Sequence, residues 1–204
     1  MSVTLHKFDL PAEVTFSGEI AVDTETLGLN LNRDRLCVVQ LSSGDGTAHL
    51  VHFPEPRYDA PNLKKALGDP ALTKIFHFAR FDLAVLKRDL GITCAPVYCT
   101  KVASRLVRTF TDRHGLRDLC RELIEVEISK QQQSSDWGAP ELTEAQIAYA
   151  ASDVLYLHRL KDHLEGMLAR EGRRELAQAC FAFLPWRAEL DLAGWPEIDI
   201  FAHL

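Results

Sequence analysis

The chain has 204 residues, 47% hydrophobic and 25% charged, the balance of a soluble globular protein long enough to bury one full core without disulfides or a structural metal. Lys and Arg number 23 against 29 Asp and Glu, a formal net charge of -6, which argues against coating nucleic acid or anionic membrane through bulk positive charge. The five cysteines (Cys37, Cys94, Cys99, Cys120, Cys180) are odd in number and form no CxxC pair, which disfavours a zinc ribbon or a secreted disulfide framework.

The amino-terminal stretch carries charges at Lys7, Asp9 and Glu13 with no continuous apolar core, so no signal peptide is expected, and no window approaches the roughly 20 apolar residues that cross a bilayer. Reduced thiols and a cytoplasmic location are the expectation. Glu19–Asp23 reads as a short apolar strand ending on a carboxylate, and 36–42 and 48–53 as two more strands. Asp45-Gly46 lies between the latter two as a hairpin signal, because glycine tolerates positive φ, so the chain is expected to open with three strands, at least two antiparallel. A proline-rich loop over 54–61 leads to a short helix over 62–67 and a Gly68-Asp69-Pro70 breaker. A fourth strand is expected over 73–78, then a helix over 82–90 stopped by Gly91. Apolar spacing predicts helices over 100–108 and 116–124, and 129–140 is a polar loop. Thr143 and Gln146 form a capping box that opens one long helix to about Arg170. Strands first and helices later predict an α/β domain with a mixed sheet and flanking helices.

Asp23 and Glu25 stand two apart on an extended segment, so strand alternation puts both carboxylates on one side. Paired hard oxygen ligands at a strand end suit Mg²⁺ or Mn²⁺. Asp82 lies where a helix follows a strand, a position that capping and the helix dipole also favour. Tyr149 and Asp153 are four apart and share one helix face, among Ile147, Ala150, Ala151 and Val154. An aspartate among such neighbours is costly unless it is paired or metal-bound.

Together, two acids on an early strand, a third after a strand–loop–helix and a fourth on a late helix with Tyr four residues before it resemble the DEDD 3′–5′ exonuclease superfamily, in its Tyr type and its ribonuclease D branch. The resemblance implies an RNase H-like fold. It also implies that Asp23, Glu25, Asp82 and Asp153 share two divalent cations, Mg²⁺ or Mn²⁺, about 3.5–4 Å apart, while Tyr149 orients the attacking water. Segments 35–47, 111–116, 128–137, 150–160 and 197–203 resemble, more narrowly, the nanoRNase C family. That resemblance implies an enzyme that cuts dinucleotides and very short oligoribonucleotides to 5′-mononucleotides in the last step of RNA decay, assembled as a ring-shaped homo-octamer. The alternative is a broader ribonuclease D-like exonuclease acting on structured RNA 3′ ends or on DNA. A rival of another class is a catalytically silent nucleic-acid-binding subunit, which has no reason to keep Asp153 beside Tyr149.

The ribonuclease D motif commonly reads His-Asn-Ala before the third acid, whereas His77-Phe78-Ala79 stands here. Phe78 supplies no amide; its readings are ordinary core packing or a ring on which a base stacks. His77 is expected as a buried, hydrogen-bonded imidazole with substrate contact as its second role. Thr26, Leu27 and Leu29 follow the first acids, and by resemblance to short-oligonucleotide exonucleases a leucine here, Leu29 by spacing, wedges between two bases. Lys101, Arg105, Arg108, Arg113, Arg117 and Arg121 form a basic stretch offset by Asp112 and Asp118. Lys101, Arg113, His114, Lys130 and the glutamines from 131 to 133 are candidates to grip a 5′-phosphate. Residues 1–170 are expected to form the exonuclease domain, and 171–204 a helix and an apolar tail that packs on the domain or on a neighbouring protomer.

Overall fold

A computed structural model describes residues 2–129, 131–132 and 134–203. Lys130 and Gln133 therefore lie outside the described residues. The elements in chain order are β1 (Ser2–Lys7), β2 (Glu19–Thr26), β3 (Leu36–Ser42), β4 (Thr47–His52), α1 (Pro61–Gly68), β5 (Thr73–Phe76), α2 (Ala79–Leu90), β6 (Val97–Cys99), α3 (Thr100–Val107), α4 (Leu116–Ile124), α5 (Glu144–Leu155), α6 (Leu157–Arg170) and α7 (Arg174–Leu192).

The six strands form one mixed sheet in the order β1-β4-β3-β2-β5-β6. β2, β3 and β4 are antiparallel neighbours, whereas β1 pairs parallel with β4, and β5 and β6 run parallel to β2. All seven residues of β3 are buried, as expected of a central strand covered on both faces. The 43–46 turn contains Gly44 and Gly46 at φ 77° and 86°, the left-handed conformation that a non-glycine residue adopts at a cost.

Three expectations need correction. The chain opens with four strands rather than three, because 2–7 forms the edge strand β1. Its residues are mostly exposed and its apolar alternation is only Val3 and Leu5 long; pairing to β4 is what orders it. The three-residue β6 is likewise too short to carry a pattern. The single long helix from Thr143 is two helices, broken at Tyr156 (φ -110°, ψ -3°). α5 lies on β3, β4 and β2, while α6 packs on α3 and α4, and one straight rod cannot follow both surfaces. The capping box itself forms: the Thr143 hydroxyl accepts from the Gln146 N–H and the Gln146 side chain accepts from the Thr143 N–H.

α7 packs along α2 and is tied to it where Arg80 donates to Asp191 at 2.6 and 2.7 Å. Arg187 holds the carbonyls of Trp195 and Pro196 at 3.0 and 2.9 Å, which fastens the start of the tail. Beyond these ties Trp186, Ile198, Ile200 and Phe201 are exposed. Among the described residues, no helix is long and apolar enough to cross a membrane.

Candidate active site

The carboxyl-terminal half of β2 forms the floor of an open cleft of about 350 Å³. Asp23 and Glu25 project into it from alternate strand positions, and α5 brings Asp153 and Tyr149 from above. One carboxylate oxygen from each of Asp23, Glu25 and Asp153 lies within 4.8 Å of the others. Asp82, in the first turn of α2, also lines the cleft. Thr24, between the two acids in β2, turns the other way and donates its hydroxyl to Asp82 at 2.6 Å. Gln40, directly across from Asp23 in the β2–β3 ladder, reaches the Asp23 carboxylate with its amide at 3.4 Å.

Sequence reading did not single out Thr24 or Gln40. Thr24 carries the signal in its place between two acids, whereas Gln40 becomes a partner only through strand register.

None of the four carboxylates has an ion-pair partner among the described residues. Burial pushes Asp23 up to about 7. Glu25 rises to about 10 through burial and then the charges of Asp23, Asp153 and Asp82. Burial, then the charge of Asp23, raises both Asp82 and Asp153 well above the usual carboxylate range. Such a cluster stays anionic at neutral pH only with cations among the oxygens. Convergent, unpaired, all-oxygen donors therefore fit divalent ions of the Mg²⁺ type. Tyr149 is raised by burial and by Asp153, Glu25 and Asp23, so its phenol stays protonated; its ring lies 6.0 Å from that of Trp137.

The remaining sequence candidates divide. His77, Phe78, Lys101, Thr26 and Leu29 line the cleft, joined by Phe81, Arg117 and Ser129. Phe78 is 42% exposed and holds φ 70°, a strained conformation for an aromatic residue, with the Lys101 ammonium 4.3 Å from its ring centre. Leu29 is 83% exposed. Leu27 is half exposed and packs toward Gly138 outside the cleft wall.

Arg113 and His114 do not line the cleft. Arg113 pairs with Glu122 at 3.4 Å, and His114 Nδ1 lies 2.8 Å from the Ser104 hydroxyl. The basic stretch is largely neutralised: buried Arg108 pairs with Glu122, Arg121 with Asp118 and Glu122, and Arg117 with Glu127 at 3.9 Å. Those acids lie one helix turn or one loop away, which the count of basic residues does not register.

A family model described as 3′-5′ exonuclease matches residues 8–169. Ribonuclease D of Acidiphilium cryptum is 36% identical over 154 residues, which are 76% of this chain and 39% of that protein. The chain spans about two fifths of the length of the curated relatives it first matches. Among solved structures, Brucella melitensis NrnC bound to pGG superposes with a TM-score of 0.97 at 58% identity, covering 100% of both chains. Brucella melitensis NrnC with bound Mg²⁺ gives a TM-score of 0.96 at 57% identity, again over 100% of both.

Proposed function

This chain belongs to the 3′-5′ exonuclease family, and from that premise we propose that it is a metal-dependent 3′-5′ exoribonuclease that cleaves dinucleotides and very short oligoribonucleotides to 5′-mononucleotides. The observation that carries the proposal is the convergence of Asp23, Glu25 and Asp153 within 4.8 Å, with Asp82 on the same cleft and, among the described residues, no ion-pair partner for any of the four. Those four residues would hold two divalent cations, Mg²⁺ or Mn²⁺. Bound there, the ions supply Lewis acidity that lowers the pKa of water and stabilises charge on the leaving oxygen.

The chain's own residues do the rest. Thr24 and Gln40 keep Asp82 and Asp23 aimed into the cleft. Tyr149 stays a neutral phenol, so it orients the attacking water by a hydrogen bond instead of removing its proton. The water oxygen bonds to phosphorus as the P–O3′ bond of the terminal linkage breaks; the water gives up a proton to solvent, the 3′ oxygen takes one up, and a 5′-mononucleotide leaves. Lys101 supplies positive charge toward phosphate. Leu29 is exposed at the mouth, placed to separate bases.

A short substrate is favoured by the cleft, which lies at the low end of the roughly 300–1,000 Å³ of small-ligand sites. The full-length likeness to a protein solved with pGG supports the same choice. Residues 1–170 are assigned to the catalytic domain and 171–204 to an interface element. The exposed Trp186, Ile198, Ile200 and Phe201 support a homo-oligomer, an octameric ring by family resemblance. The five free cysteines suit a reducing cytoplasm.

The test is hydrolysis of a 5′-phosphorylated diribonucleotide with and without EDTA, beside a length series. Mononucleotide release that stops on chelation and falls with length is expected. Activity that survives EDTA overturns the metal mechanism, and a flat length profile replaces the short-substrate preference with a broader ribonuclease D-like activity. Light scattering is expected to exclude a monomer of 22.9 kDa.

A further inference from the structure

His77 follows β5 directly, precedes Phe78 and lines the cleft with the acids. Its Nδ1 lies 2.9 Å from the Thr100 hydroxyl oxygen. Thr100 is fully buried, and its hydroxyl donates to the Phe76 carbonyl at 3.2 Å. A hydroxyl has one proton, so with that proton on the carbonyl the oxygen accepts from Nδ1–H. A neutral imidazole protonated at Nδ1 carries a bare lone pair on Nε2. The ring is neutral at any working pH, because burial and then the charges of Lys101 and His114 lower its pKa to about 3. Among the described residues, Nε2 has no hydrogen-bond partner.

A bare imidazole nitrogen in a cleft for nucleotides selects by what it refuses. Phosphate oxygens carry no proton and repel the lone pair. Mg²⁺ and Mn²⁺ prefer the oxygen donors that the four acids already provide. What remains is a hydrogen-bond donor, and the sugar offers hydroxyls next to every phosphate. Phe78, the next residue, turns its ring outward at 42% exposure, which gives the base a stacking surface and leaves the histidine to the sugar.

We propose that His77 Nε2 accepts a hydrogen bond from a ribose hydroxyl of the substrate, and that Thr100 is the positioning residue that holds the imidazole in the accepting tautomer. This rests on the exonuclease reading of the same cleft and adds to it how the sugar is recognised. The 2′ and 3′ hydroxyls share the required chemistry, and only the first separates RNA from DNA.

The experiment compares three 5′-phosphorylated dinucleotides, the all-ribo form and its 2′-deoxy and 3′-deoxy analogues at the terminal nucleotide, with wild-type protein, His77→Leu and Thr100→Val. Wild type is expected to lose about tenfold in kcat/KM on one analogue. Both variants are expected to lose that discrimination, while Thr100→Val keeps the ring in the cleft. Loss on the 2′-deoxy form assigns the contact to RNA selection, and loss on the 3′-deoxy form assigns it to the free 3′ end. A wild type indifferent to both, or a preference that persists in both variants, overturns the proposal. Long-range ¹H–¹⁵N spectra of the wild-type protein read the tautomer without any variant: Nδ1–H is expected, and Nε2–H refutes the assignment. Equilibrium binding of the same dinucleotides to chelator-treated protein gives the ratio independently of turnover. A preserved binding ratio with no hydrolysis when Mg²⁺ is restored therefore sinks the exonuclease reading alone.

Discussion

Two of the places where this molecule buries charge settle it in opposite ways. Lys74 on β5 is fully buried, and its ammonium donates to the carbonyls of Asp69, Leu72 and Ala95 at 2.6, 2.7 and 2.8 Å. Three donors meet three acceptors, so the chain satisfies this cation itself. Asp23, Glu25, Asp82 and Asp153 meet a hydroxyl, an amide, backbone N–H groups and one another, but no cation among the described residues. A buried charge that the fold pairs is architecture. A cluster of like charges that it leaves unpaired is a site whose partner comes from outside.

The largest effect expected from breaking the acidic half of this contrast is on turnover. Asp153→Ala is expected to reduce hydrolysis of a 5′-phosphorylated dinucleotide in Mg²⁺ by at least about a hundredfold, since metal-borne charge stabilisation amounts to several kcal/mol. In EDTA its melting temperature is expected to equal or exceed that of wild type, because one acid of a mutually repelling, desolvated cluster has gone. A variant that keeps wild-type rates, or that is unfolded, refutes the contrast.

Breaking the cationic half is expected to act on stability instead. Lys74→Met leaves three buried carbonyls without their donor and is expected to cost about 3 kcal/mol in urea unfolding. The Mg²⁺ dependence of whatever activity remains should be unchanged. A neutral substitution here would show that burying Lys74 is no part of the fold's stability.

Tyr149→Phe sharpens the comparison from within the cleft. It removes a hydroxyl and no charge, and a fall in kcat of about tenfold to a hundredfold is expected, with KM nearly unchanged. Loss of a limb over which the rate rises with pH would instead mark Tyr149 as the base.

The smallest effect is on pH dependence. The folded-state pKa of Asp23 is about 7 and that of Glu25 about 10, both above the roughly 4 of unfolded carboxylates. The folded protein therefore holds extra protons between those limits. The stability they represent is complete below about pH 4 and is lost as pH rises through the folded values. Divalent ions bind the deprotonated form, so the gain in melting temperature from Mg²⁺ over EDTA is expected to widen as pH rises from 6 toward 8. Thermal melts of wild type and Asp23→Asn check this, and the slope should be shallower in the variant. Equal slopes would remove Asp23 from the linkage.

Much of the cleft was legible in one dimension because local periodicity carries it. Asp23 and Glu25 share a side by strand alternation, and Tyr149 and Asp153 share a face by helical spacing. Thr143 and Gln146 announce the start of the helix that delivers the second pair. Illegible were the contacts set by partners distant in the chain. Gln40 meets Asp23 through ladder register, and Thr100 meets His77 through the β5–β6 ladder, which pairs Phe76 with Cys99 just before them. Arg108 and Arg113, which read as free positive charge, are turned to Glu122.

By itself, the sequence determined which residues carry charge, which strands and helices repeat with the period that buries one face, and which acids fall at the ends of those elements. These are local properties, written within a few residues of each position. Tertiary structure alone decided that the exposed segment 2–7 becomes an edge strand and that Tyr156 divides a helix whose halves meet different neighbours. It also decided that Lys74 is answered by its own backbone while the four acids are not. The reason is physical: the stability of a buried charge depends on the atoms that surround it in space, and those come from strands and loops far away in the chain.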